Sequence, residues 1–180
     1  MSAETQRLHP FLGRMVGEWE YDFESSTSEG GPPVRFTGTE TVRHLGGVWI
    51  VAEGRGANPD GSMGATLMTL GYDPARQRVA GAYVGSMMAH QWLYDGEVNS
   101  AGTGVALNSE GPSYTEDGAM ARYMDAIEFV SDDHRVMTSR FQDPDGAWQE
   151  FMRIDYRRRA VCRLSSPRDG LGDGGKRRGP

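Results

Sequence analysis

The chain has a single cysteine, Cys162, in 180 residues, and a single lysine, Lys176, among 19 basic side chains. One cysteine excludes an internal disulfide and a metal cluster of the CxxC kind, so a reducing cytoplasm is the expected compartment. Nowhere do about 18 apolar residues run together, which excludes a membrane-spanning helix. The opening MSAETQRLHPFL lacks the apolar segment of an export signal. A phosphate loop is missing too, because no Gly-Lys-Ser or Gly-Lys-Thr follows Gly54-Arg55-Gly56. Neither Ser109-Glu110-Gly111-Pro112 nor Gly85-Ser86-Met87 forms the Gly-x-Ser-x-Gly elbow of a serine hydrolase. The four histidines include no His-x-His pair, and a zinc site needs about three converging ligands.

What is present is glycine and alternation. Hydrophobic content of 37% with 25 glycines suits many short strands joined by turns. The length suits one domain with a real core. The net charge of −6 is split: residues 157–180 hold eight basic and two acidic side chains, a net of +6, leaving −12 on the rest. An acidic body repels phosphates, so no nucleic acid partner is expected. The segment 159–180 is mostly arginine, glycine, serine and proline, without interleaved aromatics for base stacking, and is expected to be a disordered basic tail beyond a single domain spanning 1–158.

Leu8, Phe11, Leu12, Met15 and Val16 form one helical stripe, which predicts a short helix over Pro10–Val16 that closes one end of whatever the strands enclose. Trp19, Tyr21 and Phe23 then alternate with acidic residues as a strand. Further strands are expected over Val34–Leu45, Val48–Gly56, Met63–Tyr72, Val79–Met88 and through Trp92. The series continues with Val105–Glu110, Tyr123–Ser131, Arg135–Phe141 and Trp148–Tyr156, turned at Asp73-Pro74, Asp132-Asp133 and Asp143-Pro144. The expected fold class is all-β: an antiparallel up-and-down β-barrel of about ten strands, with a two-sheet sandwich as the alternative. A barrel of more than eight strands has room for a ligand.

The segments HPFLGRMVGEWEY, FTGTETVRHLGGVWIVAEG, MTLGYDP, GSMMAHQWLYDG, SEGP and IEFVSDDHRVMTSR, in this order, resemble the bacterial family of domain of unknown function 1579 (DUF1579). The likeness covers roughly Leu8 to Arg158 and implies a lipocalin-like, calycin-type barrel; it implies no reaction. The tail after Arg159 departs from the family pattern. Gly17-Glu18-Trp19 is also similar to the Gly-x-Trp that opens the first strand of lipocalins, where an arginine from near the last strand packs over the tryptophan; Arg153 and Arg157 are the candidates here.

The leading expectation is a small, largely apolar ligand in a cavity lined by Trp19, Met68, Tyr72, Trp92 and Phe129, with Glu40, Glu53, His90 and Glu110 orienting its polar end. Glu40 and Glu53 each sit on the more apolar face of a strand, where a carboxylate needs a partner such as Arg140, or water. The alternatives are an enzyme using a cavity glutamate and His90 for proton transfer or hydrolysis, and a structural barrel, with a homodimer formed through outer sheet faces. No cofactor is expected; the options weighed are haem through His90 and a metal held across strands by His90 with Glu53 or Glu110, since His90 is read as the only histidine inside a strand.

Overall fold

A computed structural model describes residues 7–25, 32–57, 61–113 and 116–160; the expected tail lies, from residue 161 on, outside the described residues. Ten antiparallel strands close into one barrel: β1 (Gly17–Ser25), β2 (Val34–Leu45), β3 (Trp49–Ala57), β4 (Met63–Asp73), β5 (Arg78–Gly85), β6 (Trp92–Val98), β7 (Gly104–Pro112), β8 (Met120–Ser131), β9 (His134–Gln142) and β10 (Trp148–Arg158). Each strand pairs with its neighbours in sequence, and β1 pairs with β10, so no strand edge is left open. The expected up-and-down barrel is the observed one, and the sandwich is not. No helix among the described residues is long and apolar enough to cross a membrane.

Helix α1 (Pro10–Met15) ends one residue earlier than its stripe suggested. Pro10 presets its first turn, and His9 Nδ1 accepts a hydrogen bond from the Phe11 amide at 3.2 Å. One and a half turns cannot hold a helix in water, so its stability comes from burial. Phe11, Leu12 and Met15 are all at most 1% exposed, sunk into the barrel end where β1 begins.

The C-terminal carbonyls of α1 are satisfied by side chains from strands. Trp19 Nε1 donates to the Met15 carbonyl at 2.8 Å, and Arg158 donates to the carbonyls of Arg14 and Val16, each at 2.8 Å. Arg158 passes so close to Gly17 that a Cβ there would collide with the guanidinium, and Gly17 holds φ at +142°. The Gly-x-Trp pattern thus has a physical basis: glycine admits the arginine, and the tryptophan receives it 4.2 Å from its ring. The arginine is Arg158, one residue beyond the candidate Arg157, because Arg153 and Arg157 fall on the outward parity of β10.

A second arginine completes this floor. Arg135, at the start of β9, is 1% exposed, lies 4.8 Å from the Trp19 ring and 3.8 Å from the Tyr156 ring, and pairs with the Glu40 carboxylate. Removing one member of a buried pair leaves the other charge uncompensated. Arg135→Met is therefore expected to destabilise the fold by about 3–5 kcal/mol in urea unfolding, while the double variant Arg135→Met/Glu40→Leu recovers most of that loss.

Candidate functional site

Above this floor the barrel is not filled. A cavity of about 630 Å³ extends from Glu40 and Tyr156 toward the opposite end, where Met87 and Met88 stand beside it. Its wall carries rings from Tyr21, Phe23, Phe36, Tyr83, Trp92 and Tyr123, with thioethers from Met68, Met137 and Met152 between them. Strand alternation explains most of the set, since lining residues take every second position of their strands; on β10 a register shift between Glu150 and Met152 breaks the alternation and brings the adjacent Phe151 and Met152 both to the cavity.

One polar group interrupts the apolar wall. Asp125, on β8, accepts hydrogen bonds from the Tyr94 hydroxyl (β6) and the Ser139 hydroxyl (β9), both at 2.5 Å. Ser139 is the direct cross-strand partner of Asp125, while Tyr94 reaches across β7. Asp125 is half-buried and lines the cavity. Desolvation pushes its carboxyl above the ordinary 3.8, against the opposing pull of the two hydroxyl donors. Burial also raises the Tyr94 phenol well above 10, with the Asp125 charge adding to it. At the floor, burial and then the Glu40 charge raise the Tyr21 and Tyr156 phenols, so both rings stay neutral donors.

The nine residues expected from sequence separate into three groups. Glu40, Met68 and Trp92 line the cavity. Trp19, Tyr72 and Phe129 point inward but belong to the plug: Phe129 packs against both Phe11 and Trp19, and the Tyr72 ring lies tilted against His9, centroids 4.3 Å apart. Glu53, His90 and Glu110 are elsewhere. Glu53 faces outward and pairs with Arg43 at 3.1 Å. The inward face of β3 is Ile50, Ala52, Gly54 and Gly56, whose small residues make room for Tyr21 and Thr66, whereas the bulkier Trp49 lies outside over Gly71. Apolarity pointed to the wrong face of that strand. Glu110 is likewise exposed, because its neighbours Ser109 and Gly111 take the inward positions.

His90 is not in a strand. The chain turns after Gly85, where the Met88 amide donates to the Gly85 carbonyl at 3.1 Å, and β6 starts only at Trp92. His90 sits at the rim with its ring edge-on to Trp92 and Nε2 3.1 Å from the Glu110 carbonyl oxygen. No histidine lines the cavity, so no glutamate–histidine pair is assembled there. The one histidine–carboxylate contact among the described residues is His134–Asp155 at 2.8 Å, away from the cavity; His134 opens β9 rather than lying in the preceding turn. Among the described residues no group of three His, Cys, Asp or Glu side chains is placed to hold a metal. Glu40 has Arg135 as its partner, not Arg140, which pairs with Glu150.

The sequence reading missed Asp125 and Arg135, although the signal was there. Tyr123, Asp125, Ile127 and Phe129 share one strand face, as do Arg135, Met137 and Ser139. A charged residue on an apolar face drew notice at Glu40 and was overlooked at these two positions.

Fold and site together define a closed, ten-stranded antiparallel barrel with an internal, mainly apolar cavity. The chain belongs to the family described as Protein of unknown function (DUF1579), whose model matches residues 4–158. Solved structures share the fold, two of them as follows. Rv2717c from M. tuberculosis has a TM-score of 0.60 and 13% identity over 85% of this chain and 99% of its own. The S-type phycobiliprotein lyase CPES from Guillardia theta has a TM-score of 0.54 and 15% identity over 84% of this chain and 92% of its own. No match was found among curated proteins.

Asp125 makes a pH dependence testable. A carboxyl raised in the fold supports stability fully below 3.8 and loses that support as pH climbs through its raised value. Asp125→Asn carries no charge at any pH. Its melting temperature relative to the parent chain is expected to rise from about pH 4 to about pH 7, whereas a difference that stays flat would show Asp125 to be as easily ionised as a surface carboxyl.

Proposed function

We propose that this barrel binds a small, largely apolar molecule in its central cavity, without a cofactor, nucleic acid or membrane as partner. The observation that carries the reading is the unfilled space of about 630 Å³ walled by aromatic rings and thioethers. Ligand pockets commonly hold about 300–1,000 Å³ and are mainly apolar with a few placed polar groups. Asp125, Tyr94 and Ser139 supply such a group here, and Glu40 lies at the floor. Methionine and aromatic side chains suit the task because both offer large contact area, and the thioether adapts to irregular shapes.

A structural barrel calls for a lumen packed by its own side chains, and that reading is the weaker one beside an open cavity of this size. The fold is shared with a phycobiliprotein lyase, but at 15% identity that likeness concerns the architecture.

The test is a fluorescence titration with Nile red, a neutral apolar dye. The parent chain is expected to bind it saturably with a blue-shifted emission. Thr66 lines the cavity on β4, and Thr66→Trp places an indole in that space. Dye affinity should fall by about tenfold or more, with the melting temperature little changed. Dye binding that is undiminished in Thr66→Trp would place the dye outside the barrel and remove the basis for the proposal.

A further inference from the structure

The cavity's charges are unbalanced. Among the described residues its lining includes two carboxylates, Glu40 and Asp125, and no lysine, arginine or histidine. Glu40 is compensated from beneath by Arg135. Asp125 is not: its hydrogen-bond partners are two neutral hydroxyls, and among the described residues no basic side chain forms an ion pair with it. A carboxyl held in an apolar wall without a counter-charge is costly, and a bound cation relieves that cost. Both hydroxyls spend their protons on Asp125, so an ionised cluster presents only acceptor lone pairs to the cavity. The surrounding rings add to this preference. Trp92 and Tyr123 lie with centroids 4.7 Å apart, and aromatic faces attract cations.

Resting on the reading of the cavity as a ligand site, we propose that it selects apolar molecules bearing a protonated amine, with the ammonium group seated on Asp125 between Tyr94 and Ser139, and rejects apolar carboxylates. An ammonium donates to the carboxylate oxygens and to the two hydroxyl oxygens, using the acceptors the cluster leaves unused. An alkyl carboxylate of the same length would bring a second anion beside Asp125, with no cation among the described lining residues to receive it. A primary alcohol, neutral and able to donate one hydrogen bond, should fall between the two.

Competition against Nile red at neutral pH separates the possibilities, with decylamine, 1-decanol and decanoate as probes. Decylamine is expected to displace the dye at a concentration at least about tenfold below that needed for decanoate, with decanol intermediate. In Asp125→Asn the amine advantage, read as the ratio of the decylamine and decanoate concentrations that displace the dye from that same variant, should disappear. Asp125→Ser, which also removes the carboxyl, serves the same comparison if the asparagine variant does not fold. Should the parent chain bind no dye, the ligand-site reading fails and this inference with it. Should the dye bind but decanoate compete as well as decylamine, or the amine advantage survive loss of the carboxyl, the ligand-site reading stands and the assignment of an amine to Asp125 is overturned.

Discussion

Arg135 holds a guanidinium at 1% exposure between two aromatic rings, and the closed end of the barrel is arranged to make that tolerable. Glu40 supplies the counter-charge from β2 while Trp19 and Tyr156 supply ring faces from β1 and β10. The contact thus ties β9 to the strands on both sides of the β1–β10 seam, where the sheet closes on itself. Trp19 is shared with Arg158, which in turn caps α1, so the plug, the seam and the buried ion pair form one continuous unit. The Nε of Arg135 has no protein partner, the one such buried side-chain atom among the described residues, and the stacking rings mark where its compensation lies instead.

The cavity follows from how the remaining large side chains are laid down. Ten strands enclose more width than inward side chains can fill. Several aromatic groups also lie along the wall rather than across the lumen, each resting on a glycine of a neighbouring strand. Tyr21 covers Gly38 and Gly56, and Trp92 covers Gly111, at separations that leave no space for a Cβ. These glycines are flat ground for rings, and the rings in turn give the cavity its apolar wall. Were the same aromatics forced to project inward, much of the open volume would close.

The architecture was readable because alternation and turn chemistry act locally. Asp73-Pro74, Asp132-Asp133 and Asp143-Pro144 each fall between paired strands, and the Asp73 and Asp143 side chains accept from the amides that follow them. Inward and outward faces were harder to assign, since they depend on which residues meet across strands. On β3 the bulkier face is outside, where Trp49 rests on Gly71, and the inward face is small to admit Tyr21 and Thr66. Composition of one strand cannot reveal a partner that lies on another. His90 failed for a different reason: the alternation of His90, Trp92 and Tyr94 is real, but the chain turns between Gly85 and His90 and the ladder begins at Trp92. Asp125 and Arg135 were legible by the argument applied to Glu40, and their pairings were not, because nothing in one strand's pattern shows which hydroxyls or carboxylates approach from other strands.

The central claim is that the barrel keeps an open, ligand-accepting space above the Arg135 floor. A crystal structure of the chain grown with Nile red tests it most directly. Dye density is expected inside the barrel, above Glu40 and against the wall formed by Tyr94, Trp92 and Tyr123, with the Asp125 cluster within reach of its polar end. A structure in which side chains close that space, or in which ordered dye sits only on the outer surface, would contradict it.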